Sequence, residues 1–292
     1  MNKIELSFTG IHEDSDFFRE AVNFTATVTS FLPRLIEKDY FNTLLLKYLS
    51  INNELVFKGG TCLAKVHSEF YRLSEDLDFT ISISIDSSRS ERRKQALPLR
   101  QSINALPAQI PMFKLVQQLT GANNSTQYIA LVQYKSLLSQ QEETIYVELG
   151  LREPMLRPME QKLARTLLLD PISHRPLVEP IAINCLSEIE SFAEKYRAAL
   201  CRREAAIRDF YDIDYAVRKK RVHPLDADFI SLVQQKLSVP GNESIDISSA
   251  KFNILQKQIE TELRPVLQDK DFAEFDLVRA FNIVSDMAVK MK

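Results

Sequence analysis

Ser74, Glu75, Asp76, Leu77, Asp78 and Phe79 open a run in which Leu77, Phe79, Ile81, Ile83 and Ile85 alternate with Asp76, Asp78, Thr80, Ser82 and Ser84. Alternate side chains of a β-strand share a face, so Asp76 and Asp78 would project together from Cα atoms about 6–7 Å apart. Two carboxylates so placed repel unless a cation sits between them. A hard divalent cation with oxygen ligands meets that need, and paired carboxylates of this kind bind a triphosphate and activate an attacking hydroxyl. The competing reading is an exposed polar strand face. It accounts for Thr80, Ser82 and Ser84 but gives no reason for two acids beside a glycine-rich turn. A third carboxylate stands in IYVEL (145–149), where Ile145, Val147 and Leu149 share one face and Glu148 takes the other. Glu148 joins Asp76 and Asp78 if the two strands are neighbours in one sheet.

The glycine-rich turn is FKGGTCLAK (57–65), which holds two of the six glycines in the chain. A short apolar strand, two glycines, a threonine and a helix is an arrangement in which main-chain N–H groups meet an anion, because glycine lets a ligand approach the backbone closely. Thr61 adds a hydroxyl donor. The turn is not a Walker loop, since the GxxxxGK[ST] spacing is missing. A tight turn with no ligand is the simpler reading of Gly59 and Gly60 when they are taken alone.

A second group lies in AEKYRAALCRREAAIRDFYDID (193–214). Lys195 falls at the edge of the apolar stripe Phe192, Tyr196 and Leu200, where a lysine commonly snorkels to solvent. Asp209 and Asp212 share a helix face, with Arg208 within i,i+4 reach of Asp212, as in a structural ion pair. The four histidines, His12, His67, His174 and His223, show no metal spacing, nor do Cys62, Cys185 and Cys201. Cys62 reads as a small packed residue.

These residues need elements to carry them. Residues 17–51 read as packed helices, with Pro33 starting or breaking one of them. A short strand at 55–57 precedes the glycine turn, TCLAKVHSEF is helical, and the alternating strand runs over 77–85. SSRSERRKQALPLRQSINALP is polar and then helix-like. QYIALVQYK (127–135) and ETIYVELG (143–150) give two further strands around the loop SLLSQQEE. The mixed α/β region, with its N-terminal helices, spans 1–185. From Ser187 the period is helical, opened by an S-x-x-E capping box with Glu190, and 186–292 forms a helical region expected to close over the nucleotide site. Residues 238–249 make its clearest loop. At 292 residues, 45% hydrophobic and 26% charged, with a formal net charge of -2, the chain has no global positive field to draw it to nucleic acid or membrane. No apolar stretch is long enough for a membrane span, and the N-terminus shows no leader pattern, so a cytoplasmic setting is expected. The clusters RSERRK (89–94) and RKKR (218–221) are solvated faces, or phosphate contacts if the substrate is RNA.

FKGGTCLAKVHSEFYRLSEDLDF resembles the KGGTxL…RxSEDxDF signature of the AbiEii/AbiGii toxin family of nucleotidyltransferases, in the DNA polymerase β-like superfamily. Residues 193–214 are similar to that family's second signature, a Glu-Lys pair followed by an Arg-Asp-x-Tyr-Asp element. The resemblance implies an α+β nucleotidyltransferase fold with a small mixed sheet flanked by helices. It implies that Lys58, Gly59, Gly60, Thr61, Ser74 and Asp212 bind the nucleotide, and that Asp76, Asp78, Lys195 and Asp209 are catalytic. Asp76 and Asp78 would hold Mg²⁺, with Glu148 as the third acid where the superfamily usually has Asp. The implied reaction moves a nucleotide from an NTP to an acceptor hydroxyl, a tRNA 3′ end first, by the toxin of a toxin–antitoxin or abortive-infection pair whose partner is an antitoxin. Two alternatives stay open: a catalytically silent nucleotide-binding module acting through a protein partner, and an enzyme that modifies a protein or small molecule.

Overall fold

The computed structural model of the protein describes residues 10–291, so the reading of the extreme N-terminus lies outside the described residues. The chain divides into two compact units: residues 10–154 with Met159–Cys185, and Met155–Pro158 with residues 186–291.

The first unit begins with α1 (Ser15–Thr29) and α2 (Pro33–Leu49). Asp14 caps α1 by accepting from the Phe17 N–H at 3.0 Å. Pro33 occupies the first turn of α2, where a missing N–H costs nothing, so it starts that helix. Then come β1 (Val56–Lys58), α3 (Gly59–Cys62), a π-helical turn (Leu63–His67), β2 (Leu77–Thr80), α4 (Arg89–Gln95) and α5 (Leu97–Gln109). The unit closes with β3 (Phe113–Ala122), β4 (Gln127–Lys135), β5 (Glu142–Gly150), β6 (Glu160–Ala164) and β7 (Ile181–Cys185).

The seven strands of the described residues form one mixed sheet in the order β3-β4-β5-β2-β1-β7-β6. β2 runs antiparallel to β1 and parallel to β5, and β1 runs parallel to β7. Inward-facing Leu77, Phe79, Val147 and Leu149 are buried on one side of β2 and β5, which fixes the register because a one-residue slip would turn this set to the opposite face. The structure corrects the expected strand over 77–85: β2 ends at Thr80, opposite Gly150 on one side and Val56 on the other, beyond which the N–H groups of Leu151 and Leu55 bond to Thr126 and Asn52 instead. Three strands escape the sequence pattern. β3 and β6 are the sheet edges, mostly exposed and without clean alternation, and β7 is only five residues long.

α2 lies inside this unit rather than on it, with fourteen of its residues buried, polar ones included. Each buried charge has its own partner. Glu37 accepts from the Ser136 hydroxyl and the Leu137 N–H, both at 2.7 Å, and Asp39 pairs with Lys65 at 2.5 Å. These contacts turn a helix of low amphipathicity into the hub of the unit.

The second unit contains α6 (Glu188–Cys201), α7 (Ile207–Lys219), α8 (Ala227–Leu237), α9 (Ser249–Gln258), α10 (Asp269–Glu274) and α11 (Leu277–Lys290). Ser187 caps α6 as expected, its side chain accepting from the Glu190 N–H. The Glu190 carboxylate, expected to complete a capping box, instead accepts from the Leu156 and Arg157 N–H groups at 2.9 and 2.8 Å and pairs with buried Lys236 at 2.7 Å. That pairing draws Met155–Pro158 into this unit.

Candidate active site

The glycine turn is built around an approach that only glycine permits. Gly59 has φ +76°, a left-handed conformation that a side chain disfavours. A Cβ there would run into the Asp78 carboxylate, with Cγ 2.8 Å away. A Cβ on Gly60 would lie 2.7 Å from the Arg72 guanidinium and 2.9 Å from the Ser74 hydroxyl. The turn and the acidic segment are therefore in direct contact, and Lys58 and Asp78 stand opposite each other across β1 and β2.

β5 brings the third acid to the same place. Asp78 pairs in register with Glu148, so the two half-buried carboxylates leave adjacent strands on the face opposite the apolar residues. Asp76 lies one residue before β2, and its carbonyl accepts the Thr61 hydroxyl. Thr61 is thus a tie between the glycine turn and the acidic segment, and its expected role as a phosphate donor would require that bond to open.

Behind this group, α2 holds the SED segment. Asn42 donates to the Glu75 carbonyl at 3.1 Å, and Glu75 pairs with Lys38 at 2.8 Å and Arg34 at 3.1 Å. Burial alone would raise Glu75, but the Lys38 and Arg34 cations hold its carboxyl below the usual range. Lys65 is fully enclosed. Burial lowers its ammonium pKa, while Asp39 at 2.5 Å and the Thr43 hydroxyl at 2.7 Å stabilise the charge. Between Lys65 and the acids the chain turns through Glu69 (φ +47°) and Phe70 (φ +59°), two successive non-glycine residues in the left-handed region, a conformation kept only where surrounding packing fixes it.

Sequence reasoning passed over Arg72. Its side chain is 2% exposed, it donates to the Leu73 carbonyl at 3.0 Å, and its guanidinium edges Gly60. An arginine spaced two residues before Ser74 was visible in the chain, but nothing in its spacing tells a buried arginine from a surface one.

In the second unit Lys195 does not reach for solvent. Its ammonium sits between Asp209 and Asp212, at 2.9 Å from each, with Arg202 3.3 Å from the far oxygen of Asp209. Burial would raise Asp209, but Lys195 and then Arg202 bring it below the usual range. Asp214, absent from the sequence reading, is fully buried against Arg218 at 2.8 Å and Arg279 at 2.6 Å. A cavity of about 300 Å³ in this unit is lined by Phe192, His223 and Phe229 and by Lys220 and Arg221 of the basic cluster 218–221, and by none of the candidate catalytic, nucleotide-binding or metal residues.

The histidines and cysteines are less scattered than their sequence spacing suggests: the ligand atoms of Cys62, His67 and Cys185 gather in one place. Within this group the Cys185 thiol is drawn down to about 6 by a hydrogen bond from Cys62 and by His67, while burial pushes Cys62 up.

Comparison with known proteins gives these features a setting. No curated protein matches the chain. The Helicobacter pylori protein JHP933 shares its fold: 15% identity over 89% of this chain and 93% of that one, with a TM-score of 0.51. Looser likenesses are found to a putative nucleotidyltransferase from H. pylori, at 16% identity over 93% and 95% of the two chains, TM-score 0.43, and to MenT4, a nucleotidyltransferase toxin from Mycobacterium tuberculosis, at 18% over 94% and 99%, TM-score 0.44. Residues 46–282, which include both motif regions, match the family described as nucleotidyl transferase AbiEii toxin, type IV TA system. The chain belongs to the AbiEii family of nucleotidyltransferase toxins.

Proposed function

We propose that this nucleotidyltransferase toxin moves a nucleotide from an NTP to an acceptor hydroxyl, with a tRNA 3′ end as the first acceptor to test, and that Asp76, Asp78 and Glu148 are its metal ligands. The observation that carries the reading is the seating of the Asp78 carboxylate against Gly59, in register with Glu148. An all-oxygen donor set of this kind suits a hard cation such as Mg²⁺. When bound, Mg²⁺ would offset triphosphate charge and favour ionisation of the acceptor hydroxyl.

The other residues then take these parts. Main-chain N–H groups at Gly59 and Gly60 hold phosphate oxygens, joined by Lys58, the Ser74 hydroxyl and the Arg72 guanidinium. The acceptor oxygen bonds to the α-phosphorus, the bond to pyrophosphate breaks, and the hydroxyl proton passes to a carboxylate of the group. A cognate antitoxin is the expected protein partner. Among the described residues no helix is long and apolar enough to cross a membrane.

The deciding experiment incubates the purified chain with each labelled NTP, Mg²⁺ and total cell extract. Label on tRNA with pyrophosphate release supports the reading. Label on protein or a small molecule keeps the chemistry but replaces the acceptor. NTP binding without any transfer would make the chain a silent nucleotide-binding module.

A further inference from the structure

Cys62 ends α3, His67 ends the π-helical turn, and Cys185 ends β7, beside Phe57 of β1. One ligand atom from each lies within 4.8 Å of the other two, and all three residues are buried. Their sequence separation gives no hint of this. Residues five apart in an α-helix point about 140° away from each other, whereas the i→i+5 closure of a π-turn brings them over one another. The π-turn at Leu63–His67 therefore has a local consequence: it aims His67 back toward Cys62, and the parallel pairing of β1 with β7 delivers Cys185.

We propose that Cys62, His67 and Cys185 form a site for one zinc ion, separate from the carboxylate group. For three atoms no more than 4.8 Å apart there is always a point within about 2.8 Å of each, against about 2.3 Å for Zn–S and 2.0 Å for Zn–N bonds, so ligation needs shifts of no more than about 0.5–0.8 Å. Two thiolates and an imidazole are soft to borderline donors that suit zinc and not magnesium. Two thiolate charges also offset the dication, which leaves a neutral cluster in a buried place. Three protein ligands leave one tetrahedral position for water or a further ligand. Because Cys62 follows Thr61 directly, zinc would tie the glycine turn to the end of β7.

The test reads metal rather than activity, so it stands apart from the nucleotide-transfer reading. The full chain, stripped with chelator, is titrated with Zn²⁺ against a chromophoric competitor and, separately, with Co²⁺. The expected result is one equivalent of zinc and, with Co²⁺ in the unmutated chain, near-ultraviolet thiolate-to-metal charge-transfer bands. Affinity should fall at least tenfold in Cys62→Ser and Cys185→Ser and stay unchanged in Cys201→Ser. Because the Co²⁺ spectrum needs no variant, poor folding of a cysteine variant does not blunt the test. Absence of stoichiometric zinc uptake, a Co²⁺ spectrum without thiolate bands, or a Cys62–Cys185 disulfide in the metal-free isolated protein would overturn the proposal.

Discussion

At Asp78 one side chain is read by two neighbours: it closes against Gly59 at the start of α3 and stands in register with Glu148 on β5. Asp78→Asn keeps the shape and removes the charge, so transfer should drop by at least about a hundredfold while the melting temperature stays close to that of the parent. Near-normal turnover with Mg²⁺ would remove this strand from the site. Gly59→Ala asks a different question. A methyl group at φ +76° costs about 1–2 kcal/mol and pushes on the Asp78 carboxylate, so stability in urea and transfer rate should fall together. If the variant unfolds at lower urea yet transfers normally once folded, the turn is merely structural.

Helices α6 and α7 are joined by the clamp of Asp209 and Asp212 on Lys195, all three side chains largely enclosed. Lys195→Ala leaves two buried carboxylates facing each other, and should cost about 3 kcal/mol or more in chemical denaturation. Assaying the folded fraction then separates roles: full activity there means an ion pair and nothing else, whereas lost turnover supports the catalytic role that the family signature suggests. The same clamp sets a pH dependence. Asp209 has its folded pKa below the ordinary 3.8, so its stabilisation is fully present above that value and is lost as the pH falls through the lower, folded one. Acid unfolding monitored by circular dichroism should therefore shift to higher pH in Arg202→Ala, which removes one of the cations holding Asp209 down.

For the whole molecule, membership in a toxin family makes growth the readout. Expressed alone, the chain should slow growth, and Asp76→Asn should abolish the effect at equal protein level. The substitution keeps the size of the side chain and leaves in place the carbonyl that accepts the Thr61 hydroxyl. Unimpaired growth with the unaltered chain at verified expression would argue against intrinsic toxicity. Toxicity that survives Asp76→Asn would place the harmful activity outside the carboxylate group.

Period and residue type sufficed for much of this. The β-prone run QYIALVQYK delimited β4, Pro33 started α2, Ser187 started α6, and the spacing of Gly59, Gly60, Asp76 and Asp78 pointed to phosphate and metal chemistry, because these signals depend on neighbours in the chain. Edge strands β3 and β6 were illegible since half-exposed residues carry no pattern, and β2 looked too long because a strand ends where its partners do, which its own sequence does not encode. Long-range pairing alone decided the rest. It set Glu148 beside Asp78, enclosed Arg72 at Gly60, occupied Lys195 with two aspartates and brought Cys185 to Cys62 and His67. Sequence determines which groups can do chemistry. Which of them meet is decided by sheet register and burial, since a contact between residues a hundred positions apart arises from the packing of the whole unit.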